Sequence, residues 1–203
     1  IFFFFFSRLK LISNIKKYFS LLILVCSFSG MVLFQSCKKA DDVKPPVTNS
    51  SKDFQWKEKL SVADIPDMPL KGFLKGKELK IDYVNFENWR GSGDNVFNFG
   101  DKKPNQPCGY VENDNAVQLL RKSGEIPKGE FVKTSFDANM DGYVADYHFT
   151  EKDNMKKISV PWNCALFIEE MTDDVVKGKI AICFKDDSKS WIAGKFEAVR
   201  CSN

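Results

Sequence analysis

The chain has 203 residues, with 30 lysine and arginine residues against 27 aspartate and glutamate residues, one histidine and six cysteines. A net charge of +3, scattered along the chain, is too small for the basic footprint of a nucleic-acid-binding protein. The single histidine, His148, excludes a histidine-rich metal site and argues against a histidine-based catalytic dyad or triad.

The first 36 residues differ in charge from the rest. They contain four basic residues and no acidic one; subtracting these four from 30 leaves 26 basic groups against 27 acidic groups in residues 37–203, a formal charge of −1. Basic residues within 8–17 precede an apolar stretch over 18–34 whose unbroken part is nearer ~10 residues than the ~20 that a membrane-spanning helix needs. This layout predicts a secretory signal peptide over residues 1–36.

A cysteine follows the apolar stretch directly. Residues 33–37, LFQSC, resemble a bacterial lipobox, although Phe34 and Gln35 differ from the small residues that are usual there. Together with the continuation CKKADD over 37–42, they are similar to the loose lipoboxes of Bacteroidota lipoproteins. The resemblance implies that Cys37 carries lipid and that the protein is an exported outer-membrane lipoprotein facing the periplasm or the cell surface. An unmodified Cys37 at an ordinary signal-peptidase site is the alternative.

The segment after the lipobox is polar. Residues 38–53 hold only two valines among lysine, aspartate, proline, serine, threonine and asparagine, so they cannot bury a core and predict a disordered tether. Residues 54–68 predict a short packing segment, and Pro66 and Pro69 mark the entry to the regular domain. We therefore divide the chain into a signal peptide (1–36), a lipidated cysteine with a flexible tether (37–66) and a β-domain (67–203).

The apolar pattern of the domain has a short period. Leu79, Ile81 and Tyr83 alternate with charged neighbours, as in a half-buried strand. Turn residues separate the apolar runs, which predicts an all-β fold, an antiparallel β-sandwich of Ig-like or jelly-roll-like type with roughly 8–9 strands. A helical turn over 116–124 is the alternative to a strand there. The strand candidates are 71–74, 79–83, 95–99, 116–121, 130–136, 143–149, 157–160, 163–170, 179–185 and 191–201.

The last strand candidate carries a second resemblance. Residues 190–198, SWIAGKFEA, lie shortly before Cys201 and resemble the closing strand of small extracellular β-sandwich modules in bacterial lipoproteins. Residues 72–83 support the resemblance more weakly. It implies a fold and a location, but no activity.

Four cysteines remain once one has left with the leader and one has been lipidated, and an even number in an exported chain indicates disulfides. These four are Cys108, Cys164, Cys183 and Cys201. If Glu170 faces Lys177 in a hairpin, the same register places Cys164 opposite Cys183. We therefore predict the bonds Cys164–Cys183 and Cys108–Cys201. A four-cysteine zinc site is the alternative, but the cysteines lack the close spacing of zinc ligands.

A possible calcium loop lies in the second half of the domain. Residues 137–143, DANMDGY, match the first seven positions of the EF-hand loop, where oxygen ligands alternate around a hard cation. The ligands would be Asp137, Asn139, Asp141, the backbone carbonyl of Tyr143 and, because His148 replaces the final glutamate, Asp146. Any calcium bound here would be structural. A β-turn rich in aspartate, asparagine and glycine is the alternative.

The tryptophans are the remaining candidates for ligand contact. Trp89 precedes a glycine-rich loop over 90–94, so we expect it to be exposed and to contact a ligand. Trp56, Trp162 and Trp191 are expected to pack in or against the core.

No catalytic motif of the GxSxG, HExxH, P-loop or GxGxxG type occurs in the sequence. We expect a non-catalytic, membrane-anchored binding or adhesion module for a glycan or protein ligand, with no required cofactor and no nucleic-acid partner. A secreted hydrolase with a carboxylate pair and a purely structural envelope component are the alternatives.

Overall fold

The computed structural model describes residues 54–106, 108 and 115–201. The predicted signal peptide, Cys37 and the tether up to residue 53 lie outside these residues. The described chain is all-β, which confirms the predicted class, and has eleven strands instead of roughly 8–9. The strands are β1 (Lys71–Leu74), β2 (Lys77–Lys80), β3 (Tyr83–Trp89), β4 (Asp94–Gly100), β5 (Asn115–Arg121), β6 (Gly129–Lys133), β7 (Tyr143–Glu151), β8 (Asn154–Ile158), β9 (Trp162–Met171), β10 (Val175–Phe184) and β11 (Trp191–Cys201).

All strands belong to one curled, sandwich-like sheet. The strand order is β6-β9-β10-β11-β3-β4-β5-β7-β8, and the β1–β2 hairpin branches from β11. Aromatic rings link parts of the sheet that are not neighbours in this order: Tyr147 of β7 contacts Phe184 of β10, with ring centroids 4.9 Å apart. Residues 115–121 form a strand, so the helical-turn alternative for this segment is wrong.

One pair of these strands is parallel, whereas the other pairs are antiparallel as predicted. Val199–Cys201 of β11 run parallel to Asn85–Glu87 of β3. The reason lies in the preceding hairpin, since β1 is antiparallel to β11 and β2 is antiparallel to β1. The chain direction of β2 continues in β3, which occupies the part of the β11 edge that β1 leaves unpaired.

The inner face of the sheet encloses the main core. Side chains alternate between the two faces of a strand, and the inner positions are aromatic or aliphatic on nearly every strand. At its centre, Phe97 packs on Phe86, Phe99 and Phe196, with ring centroids 4.5, 5.9 and 5.4 Å apart. The main core therefore lies on the inner face of these strands.

The outer face of β9, β10 and β11 is covered by residues 54–68, which we call the strap. Its side chains Phe54, Leu60, Ile65 and Met68 pack on small or flat groups of the sheet, Trp191 among them. Asn163 holds the strap backbone through its Nδ2, which donates to the carbonyls of residues 57 and 58 at 3.1 and 2.9 Å. The folded domain therefore includes residues from Phe54 onward, so the tether cannot extend to residue 66 as proposed.

A β-bulge changes the register of the β9–β10 hairpin. Lys177 faces Glu170 as predicted, but Gly178 faces Ile168, so one residue of β9 is left without a partner. Beyond this bulge, Cys164 pairs with Ile182 and not with Cys183. A shift of one residue moves a side chain to the other face of a sheet. Cys164 consequently lies in the inner core and Cys183 lies beneath the strap, and both are buried free thiols, so the predicted Cys164–Cys183 bond is wrong.

The second predicted disulfide is present. Cys108 is bonded to Cys201, with Cα atoms 5.5 Å apart and 93 residues between them in sequence. The bond ties the long β4–β5 connection to the end of β11, where β11 pairs with β3. The disulfide therefore fixes the end of β11 that pairs with β3.

Candidate functional site

A cleft of about 390 Å³ opens at one end of the curled sheet. The β3–β4 hairpin, the β5–β6 connection and the ends of β9 and β11 all contribute to its walls. This volume falls within the range of roughly 300–1,000 Å³ that is typical of small-molecule sites. We take this mouth cleft as the candidate functional site.

The floor of the mouth cleft is apolar and rigid. Phe86 and Ile126 line it and are only 4% and 2% exposed, because both also belong to the inner core. Met171, at the end of β9, adds a half-buried side chain. A ligand would therefore meet a preformed but small apolar surface, backed by the core.

Two amides lie above this floor. Asn88 and Asn95 are paired across the β3–β4 ladder and both line the cleft. Asn95 is 4% exposed, and its Nδ2 donates to the carbonyl of Gly124 at 2.7 Å. This bond fixes the orientation of the amide, so Oδ1 is the atom of Asn95 that can accept a hydrogen bond from a ligand.

Arg200 is held in the wall of the cleft from two sides. Its backbone N–H donates to the carbonyl of Asp174 at 2.8 Å, and its Nη1 donates to the carbonyl of Thr172 at 2.6 Å. The neighbouring Cys201 is fixed by the disulfide to Cys108. A guanidinium has five N–H donors, so the bond to Thr172 orients the group without using all its donors.

The other two charged groups of the cleft lie on its rim. Arg90 and Glu125 are exposed, and both line the cleft. Arg90 follows β3 in a tight turn, in which the N–H of Gly93 donates to the carbonyl of Trp89 at 2.7 Å. The turn fixes the backbone of Arg90 while its side chain remains in contact with solvent.

Trp89 lies beside the cleft but on the other face of β3, because it alternates with Asn88. It is half-buried, and its Nε1 donates to Glu87 Oε2 at 2.7 Å. Glu87 is 1% exposed, so the tryptophan is held by a buried carboxylate. The structure thus places the predicted ligand residue next to the cleft, not in its lining. Of the other tryptophans, Trp162 and Trp191 are buried as predicted, and Trp56 is half-buried.

A row of polar side chains crosses the same outer face. Asn98 Nδ2 donates to Asn85 Oδ1 at 2.8 Å, and Gln118 Nε2 donates to Asn98 Oδ1 at 2.8 Å. Asn85 Nδ2 in turn donates to Glu87 Oε1 at 2.7 Å. The row continues in register to Asp146 on β7. Because the amides satisfy one another, we interpret this row as a structural network.

The structure does not gather all five predicted calcium ligands into one site. Asp137, Asn139 and Asp141 lie in the turn between β6 and β7, where Asn139 Nδ2 donates to Asp141 Oδ1. Asp146 lies within β7, and its Oδ2 is 2.8 Å from Lys157 Nζ. Across residues 54–106, 108 and 115–201, no group of three or more histidine, cysteine, aspartate or glutamate side chains is arranged to hold a metal ion. The local structure is the alternative β-turn, with Gly142 at φ +76°.

The backbone of Tyr143, the remaining predicted ligand, belongs to β7. Its ring contacts Phe131, with centroids 6.2 Å apart, and the guanidinium of Arg121 lies 4.9 Å from its centroid. Tyr143 therefore packs at the seam between β6 and β7 and holds Arg121 in place.

His148 is buried on β7, opposite Lys157. Burial lowers the pKa of its imidazole, while the carboxylate of Asp146 acts in the opposite direction and Lys157 lowers the pKa further. The ring is therefore neutral at physiological pH. Its position is a strand interior away from the residues that line the mouth cleft.

Sequence reasoning missed the residues of the mouth cleft, although one signal was visible. Only three arginines follow residue 37, against 23 lysines. Arg90 and Arg200 line the cleft, whereas Arg121 donates to the carbonyl of Asp141. Arginine is favoured where a planar anion is bound by two parallel hydrogen bonds. In a domain that otherwise uses lysine, the few arginine positions were therefore the signal for this cleft.

The fold and the cleft define an all-β module with a small cleft of mixed polar and apolar lining at one end of its sheet. No protein-family model, no curated protein and no solved structure matches the chain. In the part of the chain that the structure describes, no helix is long and apolar enough to cross a membrane.

Proposed function

We propose that the protein is a lipid-anchored module of the cell envelope or cell surface that binds a glycan or protein ligand in the mouth cleft without catalysis. The observation that carries the proposal is the cleft itself, where an oriented arginine (Arg200), an exposed arginine (Arg90) and two amides surround an apolar floor. A concave site with a few fixed polar groups is the usual form of a binding site.

The position of the strap supports the anchoring part of the proposal. Phe54 packs on Trp191, the first residue of β11, with ring centroids 5.0 Å apart. The cleft residue Arg200 lies near the other end of this strand, about 30 Å away at roughly 3.3 Å per residue. A tether that joins the domain at Phe54 would therefore be attached at the end of β11 that is far from the cleft.

Binding is favoured over the alternative of a carboxylate-dependent hydrolase. Glycoside hydrolysis by the usual route uses two carboxylates that flank the scissile bond. Among the cleft-lining residues that the structure describes, Glu125 is the one carboxylate. Two arginines beside it would hold a ligand but would not supply the general acid and the second carboxylate of that chemistry.

A ligand screen with a blocked cleft tests the binding function. Wild-type protein and the variant Asn88→Trp are applied to arrays of glycans and peptides, and Lys122→Trp, on an exposed turn, serves as the matched control. We expect ligands that bind wild type and Lys122→Trp but not Asn88→Trp. Equal binding by all three proteins, or binding by none, would contradict the proposal.

A labelling experiment tests the anchor separately. Cells that express the chain are grown with radiolabelled palmitate, and we expect label in the wild type and none in Cys37→Ser. Equal labelling of both proteins would show that Cys37 is not the lipidated residue.

A further inference from the structure

We propose that the mouth cleft binds the carboxylate of an acidic sugar residue, and that Arg90 and Arg200 are the groups that hold it. The proposal rests on the proposed binding function and names its ligand class. The charged groups of the described lining are Arg90, Arg200 and Glu125, which give the cleft a formal charge of +1. Residues 37–203 as a whole carry −1, so the cleft is a local positive site on a slightly acidic part of the chain.

Among the residues that the structure describes, no acidic side chain forms an ion pair with either arginine. Every ion pair between residues that the structure describes uses a lysine, as in Lys157–Asp146 at 2.8 Å and Lys57–Asp64 at 2.6 Å. Arg90 and Arg200 take part in none of these pairs. Two guanidinium groups that line one cleft and form no ion pair within the described residues suit an anion, because each gains a charge-assisted hydrogen bond when the anion binds.

Arg200 is already positioned for this task. The hydrogen bonds to Thr172 and Asp174 hold its side chain and backbone before any ligand arrives. A guanidinium that is fixed in advance loses little conformational entropy on binding. Arg90, on the exposed turn, can then approach the same anion from the rim of the cleft. The pair would hold a planar carboxylate in a defined orientation.

The rest of the lining favours a sugar over an acidic peptide. Asn95 presents Oδ1, and Glu125 is a carboxylate, so both accept hydrogen bonds. Acceptors beside a carboxylate site suit the hydroxyl groups that surround the carboxylate of a sugar acid. The apolar floor is small, since Phe86 and Ile126 are 4% and 2% exposed, and it offers little surface for a large apolar peptide side chain.

Calorimetric titration with a galacturonate trisaccharide and its methyl ester tests the proposal. The ester has the same rings and hydroxyls but no carboxylate charge. We expect the acid to bind wild type at least about tenfold more tightly than the ester, the effect of hydrogen bonds to a charged group. Arg90→Gln and Arg200→Gln should each lower the affinity for the acid about tenfold or more and leave the affinity for the ester unchanged.

The control variant is Lys122→Gln, which removes one positive charge from an exposed turn residue that does not line the cleft. It should bind the acid as wild type does. Arg90 is exposed, so Arg90→Gln keeps the test valid even if Arg200→Gln fails to fold. Equal affinity for acid and ester, an unchanged affinity in Arg90→Gln, no binding of the acid, or binding of an acetylated aspartate peptide in its place would each overturn the proposal.

The two proposals can fail separately. A neutral glycan whose binding is abolished by Asn88→Trp would leave the binding function intact and overturn the arginine site for a sugar acid. If no ligand in the arrays depends on the cleft and the trisaccharide does not bind, both proposals are wrong.

Discussion

Cys164 lies directly opposite Ile182 across the β9–β10 ladder, and its neighbour in the inner core is therefore an aliphatic side chain and not a second sulfur. Cys183, one residue further along β10, faces the strap, where its Sγ lies 3.5 Å from the backbone nitrogen of Lys57. The sheet itself separates the two thiols. Burial raises the pKa of both, that of Cys183 to about 12, so neither is a reactive thiolate at neutral pH.

The two thiols should therefore resist alkylation in the folded protein. We expect iodoacetamide at pH 8 to leave the peptides containing Cys164 and Cys183 unmodified in native protein, and to modify both in urea without any reductant. Peptide mass spectrometry measures the outcome. The linked Cys108–Cys201 peptides provide the internal control, since they should yield alkylated cysteines only after reduction. A linked Cys164–Cys183 peptide would contradict the observed register.

The bulge that separates these thiols depends on Gly178. A Cβ at this position would overlap the carbonyl oxygen of Phe167, which lies on the backbone of β9 and cannot move aside easily. Gly178→Ala should lower the free energy of unfolding by about 1–3 kcal/mol, the usual cost of overpacking. Urea unfolding measures the change. Gly91→Ala is the matched control, because a Cβ there meets no atom within 4 Å, and it should change stability by no more than about 0.5 kcal/mol.

The Cys108–Cys201 bond should contribute substantially to stability. It links residues 93 apart in sequence, and closing a loop of this length stabilises a fold by about 4.6 kcal/mol in the chain-entropy model. The double variant Cys108→Ser/Cys201→Ser should unfold at correspondingly lower urea concentration than wild type. Reductant should lower the midpoint of the wild type and not that of the double variant. A wild-type midpoint that reductant does not change would contradict this role.

His148 should make stability depend on pH in a defined window. Its pKa in the folded protein lies below the ordinary value of 6.5 because burial disfavours the imidazolium. The unfolded chain therefore binds more protons than the folded protein between these two values, so the free energy of unfolding falls as the pH drops from about 6.5 towards the folded pKa. Above a pH of about 6.5, the His148 imidazole is neutral in both the folded and the unfolded chain, so it no longer makes stability depend on pH.

Urea unfolding of wild type and His148→Gln at pH 7.5 and pH 5 measures this effect. The wild type should lose more stability between the two pH values than the variant does. Asp64 does not interfere in this window. The hydrogen bond from Lys57 is the main cause that lowers the pKa of Asp64 below the ordinary value of 3.8, so its contribution to the free energy of unfolding is lost only when the pH falls below about 3.8. Identical losses in the two proteins would show that His148 titrates alike in folded and unfolded chains.

The strand pattern was readable where side chains alternate between core and solvent. All ten predicted candidates overlap observed strands, and in most of them apolar residues recur at every second position. Val84 and Phe86 of β3 show the same alternation with Asn85 and Glu87, but all four are buried. Residues 84–89 are nevertheless absent from the predicted strand candidates.

The mouth cleft could not be derived from the chain. Asn88, Glu125 and Arg200 come from three separate regions of the sequence, and no local spacing relates them. They meet because β3 pairs with the end of β11 in parallel, a contact that depends on where the β1–β2 hairpin ends. The placement of the predicted calcium ligands also depends on strand pairing. Asp146 lies within β7, opposite Gln118 of β5, and not in the turn that holds Asp137, Asn139 and Asp141.

The sequence by itself determined the all-β class, most strand positions and the even number of cysteines in the domain. These properties follow from local periodicity and composition, which a single strand already displays. Only the tertiary structure decided which cysteines pair, which arginines share a cleft and which face each buried polar group occupies. The one-residue bulge decides the cysteine pairing, and the parallel β3–β11 pair decides which residues line the cleft. Both depend on contacts between segments that are distant in the chain.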